Sequence, residues 1–161
     1  MKQLWAPWRI AYIKGEKPAG CILCDKPKEK KDRANLILHR GKHGFVIMNL
    51  YPYNNGHLMV CPYEHVNNLE ALSDEVLKNL MQLTKKSLSV LRKSFQPEGA
   101  NVGLNLGKAA GAGIEDHLHF HVLPRWVGDT NFMTSVAEIR VIPEDLKETY
   151  KQLKPHFKIS S

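Results

Sequence analysis

Cysteine is scarce in this chain: three among 161 residues, Cys21, Cys24 and Cys61. So small and odd a number does not build a disulfide framework, which excludes the stapled secreted scaffolds. No run of eighteen apolar residues occurs, so no membrane-spanning helix is expected. The opening MKQLWAPWRIAYIKGEKP puts charge and proline where a signal peptide needs an apolar stretch. A cytoplasmic protein is therefore expected. There is no internal repeat and no low-complexity tract. Arginine is not gathered on one face and no recognition element stands out, so nucleic acid is not the expected partner.

What is present is the composition of a globular domain. Hydrophobic residues make up 43% and charged residues 24%, and 161 residues suffice for one domain with a core. A single domain over 1–161 is expected. The formal net charge of +7 suits a phosphorylated small molecule, though lysines on outer faces serve solubility as well.

The elements follow from patterning. Residues 1–43 are rich in Pro, Gly and Lys and read as an irregular segment carrying the pair Cys21-x-x-Cys24. GFVIMNL (44–50) and HLMVCPY (57–63) read as strands around the turn formers YPYNNG, a hairpin. Ser73 caps a helix whose first turn holds Asp74 and Glu75. Leu77, Leu80, Thr84, Leu88, Leu91 and Phe95 recur at three- and four-residue steps, giving one long helix over about 74–95. ANVGLNLG (100–107) reads as a third strand and DHLHFHVLPRW (116–126) as a fourth. A short helix is expected after Pro143. The class is α+β, with an antiparallel sheet.

The fourth strand is the informative one. Alternate side chains of a strand share a face, so His117, His119 and His121 form one row and Leu118, Phe120 and Val122 face the core. A solvated strand face has no need of three imidazoles. Neutral imidazole is a nucleophile near pH 7, can attack phosphorus and can leave again; it also binds metal. Upstream lies GLNLGKAAGAGIED (103–116), in which Gly107, Gly111 and Gly113 open the backbone and Lys108 adds a positive charge. Such a loop lets N–H groups approach phosphate oxygens. It is not a Walker A loop, because no GK[ST] closes it and a strand follows. The Cys21/Cys24 pair reads as redox-active, as half of a structural zinc site, or as packing; a charged loop after it disfavours the thioredoxin reading. Cys61, in HLMVCP, reads as a core residue. Trp126 either stacks on a base or packs at an edge, and Arg125 meets phosphate or lies at the surface. Trp5 and Trp8 read as packing residues, and His39, His43 and His156 as solvated.

These motifs resemble the histidine-triad superfamily, whose signature is His-x-His-x-His followed by apolar residues. NLYPYNNGHLMVCPYEH (49–65) resembles the family's first conserved block. Residues 101–126, with WAPWR (5–9), the C-x-x-C and GDTNFM (128–133), resemble its diadenosine polyphosphate phosphorylase subgroup. The resemblance implies a sheet of about five antiparallel strands, a homodimer with a continuous sheet, and a nucleotide substrate. It implies His119 as nucleophile on the α-phosphorus, forming a nucleotidyl-histidine. His121 then holds phosphate oxygens or helps the leaving group, and His57 orients the row. Asn49 contacts ribose; Asn105, Gly107 and Gly113 lie where the family binds phosphates. Relatives with a C-x-x-C complete a structural zinc site with two histidines, here His65 and His117. The expected reaction splits diadenosine tetraphosphate with phosphate into ATP and ADP; a hydrolase, a phosphoramidase and a zinc-stabilised nucleic-acid-binding module are the alternatives. Some phosphorylases of the family carry Gly-Ser before the triad strand where this chain has Ala112-Gly113.

Overall fold

The computed structural model describes residues 20–129 and 145–158. WAPWR, with Trp5 and Trp8, and residues 130–133 of GDTNFM lie outside the described residues. Strands β1 (Ile37–Arg40), β2 (Gly44–Met48), β3 (Leu58–Pro62), β4 (Gly99–Leu104) and β5 (Phe120–Arg125) form one antiparallel sheet in the order β1-β2-β3-β5-β4. Helices α1 (Ile22–Lys28), α2 (Asp74–Phe95) and α3 (Leu146–Lys158) complete the described residues. No helix among them is long and apolar enough to cross a membrane.

β2 and β3 are buried along their whole length because both faces of the sheet are covered. Period-two alternation sorts their side chains. Val46, Met48, Leu58 and Val60 join Leu80, Leu83 and Leu91 of α2 and Leu153 and Phe157 of α3 in the main core. Phe45, Ile47, Met59 and Cys61 face the other way and pack with Leu23 of α1 in a smaller cluster. Burial pushes the Cys61 thiol far up, which makes it an inert core residue. Gly44 permits the closest approach: a Cβ there would stand 2.5 Å from the Cys61 carbonyl oxygen and 2.7 Å from Leu80 Cδ2.

The expected hairpin is β2–β3, in register from Gly44↔Pro62 to Met48↔Leu58. The long helix spans Asp74–Phe95 as its periodicity predicts; the Ser73 hydroxyl accepts the Val76 N–H at 3.4 Å, and the chain leaves through Gln96 at φ 48°. Two expectations need correction. Residues 20–43 are not irregular: they hold α1 and β1. α1 is short and carries Pro27, and β1 is an edge strand of four residues. Its ordering comes from tertiary contacts, since Tyr150 Oη donates to the Ile37 carbonyl at 3.1 Å and Lys154 Nζ to the Leu38 carbonyl at 2.9 Å. The strand through the histidines starts at Phe120, not at His117. Leu118 N–H instead donates to the Val66 carbonyl, at 2.7 Å, while Leu118, Phe120 and Val122 fill the core as expected.

Candidate active site and metal centre

Two sites meet at the start of β5. The first joins α1, the segment after β3 and the first histidine of the row. Cys21 at the start of α1 and Cys24 one turn on present their sulfurs to His117, whose Nδ1 lies 3.3 Å and 3.4 Å from them. His65 Nδ1 lies 3.3 Å from Cys24 Sγ. All four ligand atoms fall within 4.8 Å of one another. A tetrahedral zinc with Zn–S near 2.3 Å and Zn–N near 2.0–2.1 Å spaces its ligands about 3.3–3.8 Å apart, so the set fits that ion. The tautomer fits too. His117 Nε2 lies 2.9 Å from the Pro62 carbonyl, so it carries the proton and leaves Nδ1 as the metal-facing lone pair. Burial, then the neighbouring Cys21 sulfur, raises the Cys24 thiol pKa, a cost that a bound cation relieves.

The second site is a chain of imidazoles whose protons are fixed one by one. The Asn49 side-chain oxygen accepts the Tyr51 N–H at 2.9 Å, which turns its NH₂ toward His57 Nδ1 at 3.3 Å. The Tyr53 backbone N–H donates to the same Nδ1 at 3.1 Å. His57 therefore keeps its proton on Nε2 and donates it to His121 Nδ1, 2.9 Å away. His121 in turn carries its proton on Nε2; the Asn105 amide lies 3.4 Å away and accepts that proton when turned so that its oxygen faces the ring. His119 is set from the other side: Nδ1 lies 2.8 Å from the carbonyl of His117, so it donates there and Nε2 holds the free lone pair. The His119 and His121 rings meet edge to face at 4.8 Å between centroids, and Tyr53 stacks on His57 at 5.0 Å.

Burial favours the neutral form of His119 and His121. It lowers the pKa of His119 and, helped by the neighbouring His119, takes His121 down to about 4. An attacking imidazole must be neutral, so this shift favours the chemistry.

A HIT domain matches residues 30–127, more than half of the chain. The chain belongs to the HIT domain family. It is 40% identical over 161 residues to an AP-4-A phosphorylase of Mycobacterium tuberculosis, covering 95% of this chain and 83% of that protein. It is 32% identical to an adenosine 5′-monophosphoramidase of Schizosaccharomyces pombe, over 81% of this chain and 98% of that one. A Zn-bound histidine triad family protein from Mycobacterium smegmatis shares the fold, with a TM-score of 0.70, 23% identity, and coverage of 86% and 94%. Together these make the chain a HIT-family enzyme with the α+β HIT fold.

In this HIT enzyme the residues read from the sequence fall into three groups. His57, His119, His121, Asn49 and Asn105 come together in the imidazole chain. Cys21, Cys24, His65 and His117 come together in the candidate metal centre. Gly107, Lys108 and Gly111 form an exposed turn of 3-10 helix, with Gly107 and Gly111 at φ 76° and 81°, and Gly113 follows it on the way to His117. Other expectations change. His39 is not a loop residue: it lies in β1 and stacks on Phe157 at 5.8 Å. His43 is half-buried and 3.0 Å from Glu75, and His156 is half-buried in α3. The segment after the C-x-x-C is helical, not a charged loop. Arg125 lies at the surface, 39% exposed, and pairs with Asp129. Tyr53, Asn54, Asp129 and the carbonyls of Pro62 and His117 went unread, because a turn composition hides the first two and backbone groups leave no mark in a sequence.

The depressed pKa of His121 carries a stability consequence. Its unfolded pKa is near 6.5 and its folded value near 4, so between those values the unfolded chain binds more protons. The contribution is fully present above pH 6.5 and is lost as pH falls toward 4. Urea unfolding midpoints should drop over that window, and His121→Asn should flatten the drop; equal slopes for the two proteins would contradict the shift.

Proposed function

We propose that this HIT enzyme is a nucleotidyl transferase of the cytoplasm that cleaves diadenosine tetraphosphate with inorganic phosphate, giving ATP and ADP. The observation that carries the reading is the 2.8 Å bond from His119 Nδ1 to its neighbour's carbonyl, which leaves Nε2 unprotonated. That lone pair attacks an α-phosphorus, a P–N bond forms, and the P–O bond to the triphosphate breaks, releasing ATP. The positive charge developing on the imidazole is delocalised to Nδ1–H and its carbonyl. Phosphate then attacks the adenylyl-histidine, its P–O bond replaces the P–N bond, and ADP leaves with His119 restored.

His121 Nε2–H neutralises charge on the oxygens around phosphorus, and His57 holds His121 in that tautomer. A polyphosphate leaving group is a weak base, so charge cancellation matters more than proton donation. In this reading Asn105, Lys108 and the N–H groups of the Gly107–Gly113 loop hold phosphates, Asn49 contacts the ribose, and Trp126 stacks on a base. Cys21, Cys24, His65 and His117 would hold a structural zinc, whose role when bound is to tie α1 and the segment after β3 to the start of β5. A closed Cys₂His₂ set leaves no site for a metal-bound water. β4 is an edge strand exposed along five of its six residues, which suits pairing with a second copy in a homodimer. The M. tuberculosis relative supports phosphorolysis over the alternatives.

Product analysis tests the acceptor. Incubated with diadenosine tetraphosphate, the enzyme should release ADP and ATP in equal amounts, and only when phosphate is added. AMP with ATP in phosphate-free buffer would make it a hydrolase instead.

A further inference from the structure

At the exit of β5 four N–H groups converge on one carboxylate. Asp129 accepts from Arg125 Nε and Nη2, the latter at 2.7 Å, from the Asn54 amide at 2.9 Å, and from the Trp126 backbone N–H at 3.3 Å. Its side chain is only 7% exposed, and the paired guanidinium holds it well below the usual carboxylate range. The partners belong to different parts of the fold. Arg125 continues through Nη1 to Asn101 of β4 at 2.7 Å. Asn54 sits in the loop between β2 and β3 that also carries Asn49, Tyr53 and His57, and it donates to the Pro124 carbonyl at 3.2 Å.

Trp126 begins a tight turn. Asp129 N–H donates back to its carbonyl at 3.1 Å, and Gly128, third in the turn, has φ 83°, the conformation a type II turn requires there. Val127 N–H is held by Glu98 at 2.6 Å. So one carboxylate closes the turn from within and fastens it to the loop of the imidazole chain. A lone surface ion pair contributes little to stability. A carboxylate with four directed donors and almost no water fixes geometry instead.

We propose that Asp129 is a positioning residue. It holds the turn of Trp126 against the loop of Asn49 and His57, so that the indole forms one wall of the nucleotide site and takes up a purine ring. Asp129 touches no reacting atom; it acts through Trp126. The inference rests on the nucleotidyl-transfer reading above.

A kinetic cycle on the full chain tests it, with diadenosine tetraphosphate and phosphate as substrates and Asp129→Asn, Trp126→Ala and the double variant as enzymes. Each single change should raise KM for the dinucleotide about tenfold and leave kcat within about twofold, the signature of lost uniform binding. The double variant should be no worse than Trp126→Ala, because the two residues act as one unit. Asn54→Ala, which removes one donor of the four, should raise KM by a smaller factor; it carries the test where Asp129→Asn fails to fold. A lower melting temperature with KM unchanged in both Asp129→Asn and Asn54→Ala, or effects that multiply in the double variant, would overturn the proposal. If Trp126→Ala leaves KM unchanged while His119→Ala is inactive, the positioning idea fails and the transfer reading stands. Turnover retained by His119→Ala would instead remove the transfer reading itself.

Discussion

Replacing His119 with alanine should lower turnover of diadenosine tetraphosphate by at least about ten-thousandfold, as loss of a covalent nucleophile typically does. The loss should fall on kcat. The nucleotide keeps its phosphate and ribose contacts, and the free-enzyme fold loses one small, buried ring. His119 is 5% exposed, so its removal leaves a modest cavity, and a melting temperature within a few degrees of wild type is expected for a loss of about 1–2 kcal/mol. Rapid quenching supplies the sharper measurement. Wild-type enzyme mixed with the dinucleotide and no phosphate should accumulate an adenylyl group on that ring, and the alanine variant should show none. Turnover within tenfold of wild type in the variant would refute the assignment.

The geometry also supports the proposal that this ring, and not a neighbour, is the nucleophile. His117 spends Nε2 on a carbonyl and turns Nδ1 toward two sulfurs. His57 spends Nδ1 on a backbone N–H and Nε2 on His121. His121 has its lone pair occupied by His57. Among these four imidazoles only His119 offers an unprotonated nitrogen with no donor against it among the described residues. The division of labour follows from backbone groups that fix three tautomers directly and the fourth, that of His121, through His57.

That arrangement also marks what the sequence discloses and what it does not. The triad row, the hairpin and the 74–95 helix are written in side-chain periodicity, so they are legible directly. The pairing of His65 and His117 with the C-x-x-C is legible only through resemblance, since 41 and 96 residues separate the partners along the chain. β1 and α1 escape notice because neither has a period long enough to register; Ile37 and Leu38 are ordered by β2, Tyr150 and Lys154 from far along the chain. The role of Asp129 is invisible in GDTNFM, where an aspartate after a glycine reads as one more turn former. Its partners Arg125 and Asn54 come from a strand end and a distant loop, and only the fold brings them together.

Disrupting the metal centre should act mainly on the fold. Cys24→Ala removes one of the four ligands, so zinc measured in protein purified without chelator should fall from about one ion per chain to almost none. A lost tie of about 3 kcal/mol lowers the melting temperature of a domain this size by about 10 °C. The rate per folded molecule should fall much less, by no more than about tenfold, the lower range for lost support around a metal site. The reason lies in how His117 is held. Its ring is anchored twice, to the sulfurs and to the Pro62 carbonyl, and the second anchor survives the substitution. Its carbonyl, which fixes the His119 tautomer, sits on backbone already pinned by the Leu118 N–H bond to Val66. The proposed nucleophile is thus one hydrogen bond away from a candidate metal ligand yet independently braced. His117→Ala should separate the two contributions: it removes the ligand and the Pro62 bond while keeping the carbonyl, so it should lose zinc and more rate than Cys24→Ala. A wild-type preparation without zinc, or a Cys24→Ala protein that melts at the wild-type temperature, would show that these four residues only pack.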